Sequence, residues 1–317
     1  MSTSSEPRDW ALATVANFLG LSNHRTEYAG LLDRAVAAAP NDALVQWLAL
    51  MQTNNSAAAQ DTHDRALQNL QSIEPDNAAV WMQALMFAQR RRNDAEVDAA
   101  LARMTASTRF DDHVADLIKV MRNVYSQHPL PEEYSALEQS ELPELAQEDT
   151  RDDARGTVAA VSVAAAIALP AYQPLINACT VNGVQAARAG ACALIGRLMA
   201  GRGTDLIARS IGYAVLRVSG TFNDDDIRRS RNDDWLRQEM VAATVYPPTH
   251  ESTRNGVTYV NDWCATNSEI EAMRRAVSRA GRAPRPPVDW IDTQSPFSAE
   301  RLRNDKLAAA HAAAQAH

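Results

Sequence analysis

Lysine is nearly missing from this chain of 317 residues: Lys119 and Lys306 stand against 29 arginines. Together with 58 alanines, that bias is the mark of a GC-rich coding sequence and assigns no mechanism by itself. A net charge of −8 excludes a generic nucleic-acid binder, which needs cationic excess to release counterions. Three cysteines are too few, and odd in number, for a disulfide framework. Glycine (12 residues) and aromatics (6%) are also scarce. A chain so poor in glycine and rich in alanine points to helix, because alanine loses no side-chain entropy there. The most apolar run is Val158–Leu169, twelve residues long. A membrane span needs about 20, so that run is expected to be a buried helix and no integral membrane segment is expected. Met1–Arg8 is polar and the apolar positions of Trp10–Leu21 are interrupted, which is not a secretory leader. The expectation is a cytoplasmic protein, or a periplasmic one if the sequence is a mature form.

Catalytic signatures are missing as well. There is no phosphate loop, dinucleotide fingerprint or nucleophile elbow, and none of the seven histidines sits in an H-E-x-x-H pattern. Asp111-Asp112-His113 is a conceivable metal set. Neighbouring residues on a helix point away from one another, however, so no metal site and no cofactor are expected. Asp224-Asp225-Asp226 has the composition of a helix start, where the macrodipole favours carboxylates.

What is present is a period. Pro40-Asn-Asp-Ala-Leu-Val45 is echoed by Pro75-Asp-Asn-Ala-Ala-Val80, an offset of 35 residues, and Ala49-Leu50 by Ala84-Leu85. Arg34-Ala-Val36 and Arg65-Ala-Leu67 precede the two prolines in turn, and a third copy begins near Arg109 with Phe110-Asp-Asp-His113. Each unit reads as helix, polar turn, helix. Such an amphipathic hairpin cannot bury its apolar face alone, so it must stack on its neighbour.

With the proline after the second helix, Trp81 near the start of a first helix, and Ala84, Phe87 and Ala88 on its packing side, residues 30–125 resemble tetratricopeptide repeats. The Leu-Gly pair usual in that family's first helix is absent here. The resemblance implies stacked antiparallel hairpins in a superhelix with a concave peptide-binding face. Carried onto this chain, it implies Gln46, Gln83 and Arg90 as partner-binding side chains.

The fold expected is therefore all-α, in two helical blocks. Residues 1–128 form the repeat block and 129–155 an acidic linker or helix, a solvated surface or one that docks a basic partner. Residues 156–243 form a second hairpin block, and 244–317 an irregular segment with C-terminal helices. In the second block, helices are expected at Gln173–Cys179, Val184–Ala200 and Thr204–Ser219. The last two are joined by Gly201-Arg-Gly203 in a hairpin similar in proportion to Sel1-like repeats. Gly196 and Gly212 let their backbones approach, Gly220 is placed for a left-handed cap, and Asn223 caps a helix over Asp224–Ala243. Residues 244–266, with Pro247-Pro248 and Asn255-Gly256, read as irregular, with one short strand at Val257–Val260. Ser268 opens a further helix, and a last one starts at Ser295.

Cys179 and Cys192, thirteen residues apart, form either a disulfide or two buried thiols, depending on the compartment. The basic run Arg274, Arg275, Arg279, Arg282, Arg285 is a solvated helix face, or a surface for an acidic partner. The function expected is a non-catalytic interaction module for a protein or peptide. The alternatives are an enzyme with scattered site residues between the blocks, and an envelope accessory protein with a Cys179–Cys192 bridge.

Overall fold

A computed structural model describes residues 5–18, 30–51, 57–128, 151–167, 170–180, 183–245 and 250–290. Within them the chain is all-helical. The helices are α1 (Pro7–Phe18), α2 (Leu31–Ala38), α3 (Ala43–Leu50), α4 (Ala57–Ile73), α5 (Ala78–Arg90), α6 (Asp94–Ala106), α7 (Val114–Gln127), α8 (Arg151–Ile167), α9 (Gln173–Cys179), α10 (Ala189–Arg202), α11 (Leu206–Val218), α12 (Asp224–Thr244), α13 (His250–Thr266) and α14 (Glu269–Arg279). None of the described helices is long and apolar enough to cross a membrane.

Side-chain caps set where the helices start. Asp42 accepts from the Val45 N–H at 3.3 Å to open α3. Asn77 accepts from Ala79 N–H at 3.2 Å to open α5, and Asn93 from Glu96 N–H at 3.3 Å to open α6. Asn223 makes a full capping box with Asp226 at the head of α12. These side chains satisfy donors that the first turn of a helix leaves without partners.

Helices pack on their sequence neighbours: α1 on α2, α3 on α4, α5 on α6, α7 on α8, α10 on α11 and α13 on α14. The later helices then lie against the earlier ones, with α9 on α5, α10 on α6, and α13 on both α7 and α8. One cluster of buried apolar side chains runs continuously from Ala11 through Trp47, Phe110 and Leu175 to Val277. The two blocks read from the sequence therefore share a core. Between α10 and α11 the backbones touch: a Cβ on Gly212 would sit 2.5 Å from the Ala200 nitrogen and 2.7 Å from the Gly196 oxygen. Cys179, closing α9, is bonded to Cys192 in α10 with Cα atoms 5.6 Å apart, and both side chains are buried.

Several expectations are corrected. Val257–Val260 is not a strand but part of α13, whose Tyr259, Val260 and Trp263 bury together at helical spacing. The Asn255-Gly256 pair that reads as a turn lies inside that helix. There the Asn255 amide donates to the Ala243 carbonyl at 2.9 Å, so a tertiary contact with α12 outweighs local turn preference. Residues Val184–Ala200 divide into a 3-10 turn, Gly183–Arg188, and α10, which continues through the expected glycine turn to Arg202. The acidic stretch 129–150 and the helix expected from Ser295 lie outside the described residues.

Replacing Gly212 with alanine should force α10 and α11 apart and cost about 1–3 kcal/mol, the usual penalty of overpacking. Gly190→Ala, where an added Cβ meets nothing within 4 Å, should leave the melting temperature unchanged or raise it. Thermal melts of the two variants check the pair.

Candidate functional site

Three interhelical turns meet at one place: the α6–α7 turn (107–113), the α10–α11 turn (203–205) and the α13–α14 turn (267–268). Phe110 makes a parallel backbone bridge with Gly203, and Arg109 one with Asn77. The Asn77 side chain, fully buried, fastens the first turn. Its oxygen accepts from the Asp111 N–H at 3.0 Å, and its nitrogen donates to the Asp111 carbonyl at 2.8 Å and to Glu74 at 2.9 Å. The chain then passes through His113 in the left-handed region, φ 60°, held by the His113 N–H donating to Asp111 Oδ1 at 3.0 Å.

That geometry faces consecutive side chains in opposite directions. His113 turns back into the N-terminal half, with its ring nitrogens 3.0 Å from Glu74 and 3.4 Å from Asp116, and its ring 5.5 Å from that of Trp47. Burial pushes the imidazole down, but the hydrogen bonds to Asp116 and Glu74 and the charges of Asp111 and Glu74 prevail and bring it up to about 10. Burial raises the Glu74 carboxyl. His113, Asn77 and Arg109 overcome that and hold it at about 2. The hydrogen bond from His113, with Lys119 behind it, keeps Asp116 well below the ordinary carboxylate range against its burial. Arg109 adds contacts of 3.1 Å to Glu74 and 3.4 Å to Asp111. This side of the turn is an ionised network.

Asp112 points the other way, into the C-terminal half, and meets no cation among the described residues. It is fully buried, accepts from the Tyr172 hydroxyl at 3.2 Å, and lies against Asp205, itself 2% exposed. Asp205 caps α11, accepting from Ala208 N–H at 2.8 Å. Asp112 Oδ1 and Asp205 Oδ2 have no donor among the described groups. A proton on one carboxyl, donated to the other, satisfies both. Burial, then the charges of Asp205 and Asp111, push Asp112 far up, and burial raises Asp205 against its backbone hydrogen bonds. Glu269 completes the group. It accepts from the Leu206 N–H at 2.6 Å and the Tyr259 hydroxyl at 2.8 Å, and burial with the Asp205 charge brings it up to about 7. Asn267 ties the third turn to the first, donating to Asp111 Oδ2 at 2.8 Å.

Two clefts open on the surface. One, of about 600 Å³, lies at the α2–α3 turn between Arg8, Asp42, Asp116 and Lys119. Its charges are already engaged, Arg8 with Asp42 at 2.6 Å and Lys119 with Asp116 at 2.9 Å. The other, of about 380 Å³, is a trough with α4 and α6 as walls and α5 as floor, lined by Leu67, Trp81, Ala84 and Phe87 with Gln68, Gln71 and Arg103 along its rim. The Arg103 guanidinium sits 5.4 Å above the Trp81 ring. Neither cleft is lined by Asp112, Asp205 or Glu269.

The expected partner-binding residues do not form one face. Gln46 is fully buried, its amide nitrogen donating to the Ala39 carbonyl at 2.7 Å and its oxygen accepting from Asn69 at 3.1 Å. It satisfies an orphan carbonyl at the end of α2. Gln83 is buried at 2% exposure, while Arg90 is exposed with its guanidinium 5.7 Å from the Phe87 ring. The two glutamines therefore offer nothing to a partner. The Asp111–His113 run lies in a turn, not on a helix as expected, and no group of three or more His, Cys, Asp or Glu among the described residues is arranged to hold a metal. The arginine run is engaged with the chain's own acids: Arg275 and Arg279 with Asp262, Arg274 with Glu271, Arg282 with Glu239. One signal for the turn stood in the sequence: the 35-residue period places Asp42, Asn77 and Asp112 at equivalent positions, where two copies cap a helix.

The chain matches no protein-family model, no curated protein and no solved structure.

The two sides of the turn respond oppositely to pH. Glu269 and Asp112 hold protons more tightly folded than unfolded, so their stabilisation is complete below the ordinary carboxylate range and is lost as pH rises, for Glu269 through about 7. Glu74 and Asp116 stabilise above that range and lose their effect in strong acid, Glu74 as pH falls toward 2. His113 stabilises below 6.5 and loses its effect as pH rises through about 10. The melting temperature should therefore peak at mildly acidic pH and fall toward pH 8. Glu269→Gln should flatten that fall. A profile level between pH 5 and 8, or one indifferent to the substitution, contradicts the assignment.

Proposed function

We propose that the protein is a non-catalytic interaction protein built from degenerate helical hairpins of the tetratricopeptide type, and that it binds a peptide segment of a partner in the trough between α4 and α6. The lining of that trough carries the reading. An apolar floor of Trp81, Ala84, Phe87 and Leu67 lies under a rim of Asp64, Gln68, Arg91, Glu96 and Arg103. Apolar anchoring with a few polar groups for orientation is the usual make-up of a peptide-binding groove. This face replaces the one expected around Gln46, Gln83 and Arg90, two of which are spent inside the protein.

The alternative, an enzyme at the junction of the halves, would draw among the described residues on the raised carboxyls of Asp112 and Asp205. Their burial at 0% and 2% supports the binding reading over it, because a general acid must reach the substrate proton. The bonded Cys179–Cys192 pair fits an oxidising compartment, and so an envelope protein better than a cytoplasmic one.

Selection of a random peptide library on the folded protein tests the reading. Ala99 is exposed at the trough wall, so Ala99→Trp fills the trough without entering the core. Selected peptides should bind at least about tenfold more weakly to Ala99→Trp, a loss of about 1.4 kcal/mol, and equally well to Arg90→Ala. Failure to enrich any peptide, or binding that ignores Ala99→Trp, removes the proposal.

A further inference from the structure

After α14 the chain turns at Gly281, φ 68°, and residues 282–290 run back along α12 in the sequence Arg-Ala-Pro-Arg-Pro-Pro-Val-Asp-Trp. Prolines at 284, 286 and 287 remove three N–H donors, and the strap bends at 284–285 and closes a turn in which the Trp290 N–H donates to the Pro287 carbonyl at 3.2 Å, so what it offers a neighbour is mainly its carbonyl oxygens. Helix α12 meets those oxygens with a stripe of side chains at i, i+4 and i+8: Arg231, Trp235 and Glu239. The Trp235 indole N–H donates to the Ala283 carbonyl at 2.8 Å. Arg231 donates to the Val288 carbonyl at 3.1 Å, to the Trp290 carbonyl at 2.9 and 3.0 Å, and to the Pro287 carbonyl. Glu239 accepts from Arg282 at 2.6 Å. Trp290 closes the clamp, its ring edge-on to Trp235 at 5.2 Å and 5.6 Å from the Arg231 guanidinium.

Two features separate this contact from ordinary core packing. The grip falls mainly on main-chain carbonyls, so it reads a proline-rich backbone more than particular side chains. An indole N–H and flat aromatic rings are what proline-rich segments bind elsewhere. The strap also buries little of itself. Val288 is 97% exposed, and Arg282, Ala283, Pro284, Arg285, Pro287 and Asp289 are exposed too. A segment with so few buried apolar contacts opens locally at low cost and exchanges readily.

We propose that the Arg231–Trp235–Glu239 stripe of α12 is a binding site for a proline-rich segment of another protein, and that residues 282–290 occupy it in cis as a built-in competitor. The partner segment would present carbonyls at the spacing of Ala283 and Pro287–Val288, a basic residue for Glu239 and an aromatic residue for Trp235. While the strap is docked, the site is closed to most encounters, and apparent affinity is lowered by the fraction of molecules in which it is open.

The test adds a fluorescently labelled peptide of residues 282–290 to the full chain and reads anisotropy. In one variant the strap is weakened by Pro286→Gly, Pro287→Gly and Trp290→Ala; far-UV circular dichroism and the melting curve confirm that this variant remains folded. The strap variant should bind the peptide at least about tenfold more tightly than the unaltered chain, whose site is occupied. Adding Trp235→Phe, which keeps an aromatic ring but removes the indole N–H, should weaken that binding severalfold. A folded strap variant that binds no peptide overturns the proposal, as does binding indifferent to Trp235→Phe. Concentration-dependent dimers of the unaltered chain, with no peptide binding by the variant, would assign the strap to a second copy and also overturn it. The site is distinct from the α4–α6 trough, whose lining residues all lie between Asp64 and Arg103.

Discussion

The contact on which the rest depends is one between two acids. Asp112, from the α6–α7 turn, and Asp205, from the cap of α11, meet in the interior with no cation of the described residues beside them. Two buried carboxylates repel and each loses its hydration, so this packing favours a proton on one of the pair. Around the pair the three turns are locked by neutral and ionised bonds together. Tyr172 donates to Asp112, Asn267 to Asp111, and the Leu206 N–H to Glu269. A chain of helical pairs stacked in one direction has no need of such a junction. This chain has one because its C-terminal helices fold back against α5, α6, α7 and α8.

The same folding back bears on function. In an open stack of hairpins the first helices line a free concave surface, which is where the tetratricopeptide resemblance put Gln46, Gln83 and Arg90. Here α9 packs on α5, fastened by the Gln89 amide donating to the Pro174 carbonyl at 2.7 Å. The partner surfaces proposed above lie elsewhere: in the trough over Trp81, and along the α12 stripe beneath the proline-rich strap. Both are flanked by arginines set over tryptophan rings, Arg103 over Trp81 and Arg231 over Trp290. In a chain almost without lysine, arginine supplies the planar group that can stack and donate at once.

Local signals in the sequence were read well where local chemistry decides the outcome. The Asn223 cap, the left-handed Gly220 (φ 70°), the bounds of α9 and the close approach at Gly196 and Gly212 all follow from residue type and spacing. The reading failed where a distant element decides. Gln46 sits at a helical position that a repeat leaves facing its groove, and no periodicity reveals that Asn69 and the end of α2 will enclose it. Asn255-Gly256 is a turn signal that the packing of α13 on α12 overrides. For Asp111-Asp112-His113 the sequence predicts no metal site because helical neighbours diverge. The divergence is real, but it comes from a left-handed turn, and it sends Asp112 and His113 to opposite sides of that turn.

If a shared proton joins the halves, an amide can take its place. Asparagine at 112 keeps the size of aspartate and offers an N–H to Asp205 at every pH, so it removes the cost of ionisation without opening a cavity. The direct measurement is the melting temperature of Asp112→Asn against the unaltered protein at pH 5 and pH 8. The account predicts a larger advantage for the variant at pH 8 than at pH 5, because folding of the unaltered chain must restore a proton that the unfolded carboxyl has lost. A variant several degrees less stable at pH 8 would show that Asp112 acts there as an anion, and would contradict the shared proton.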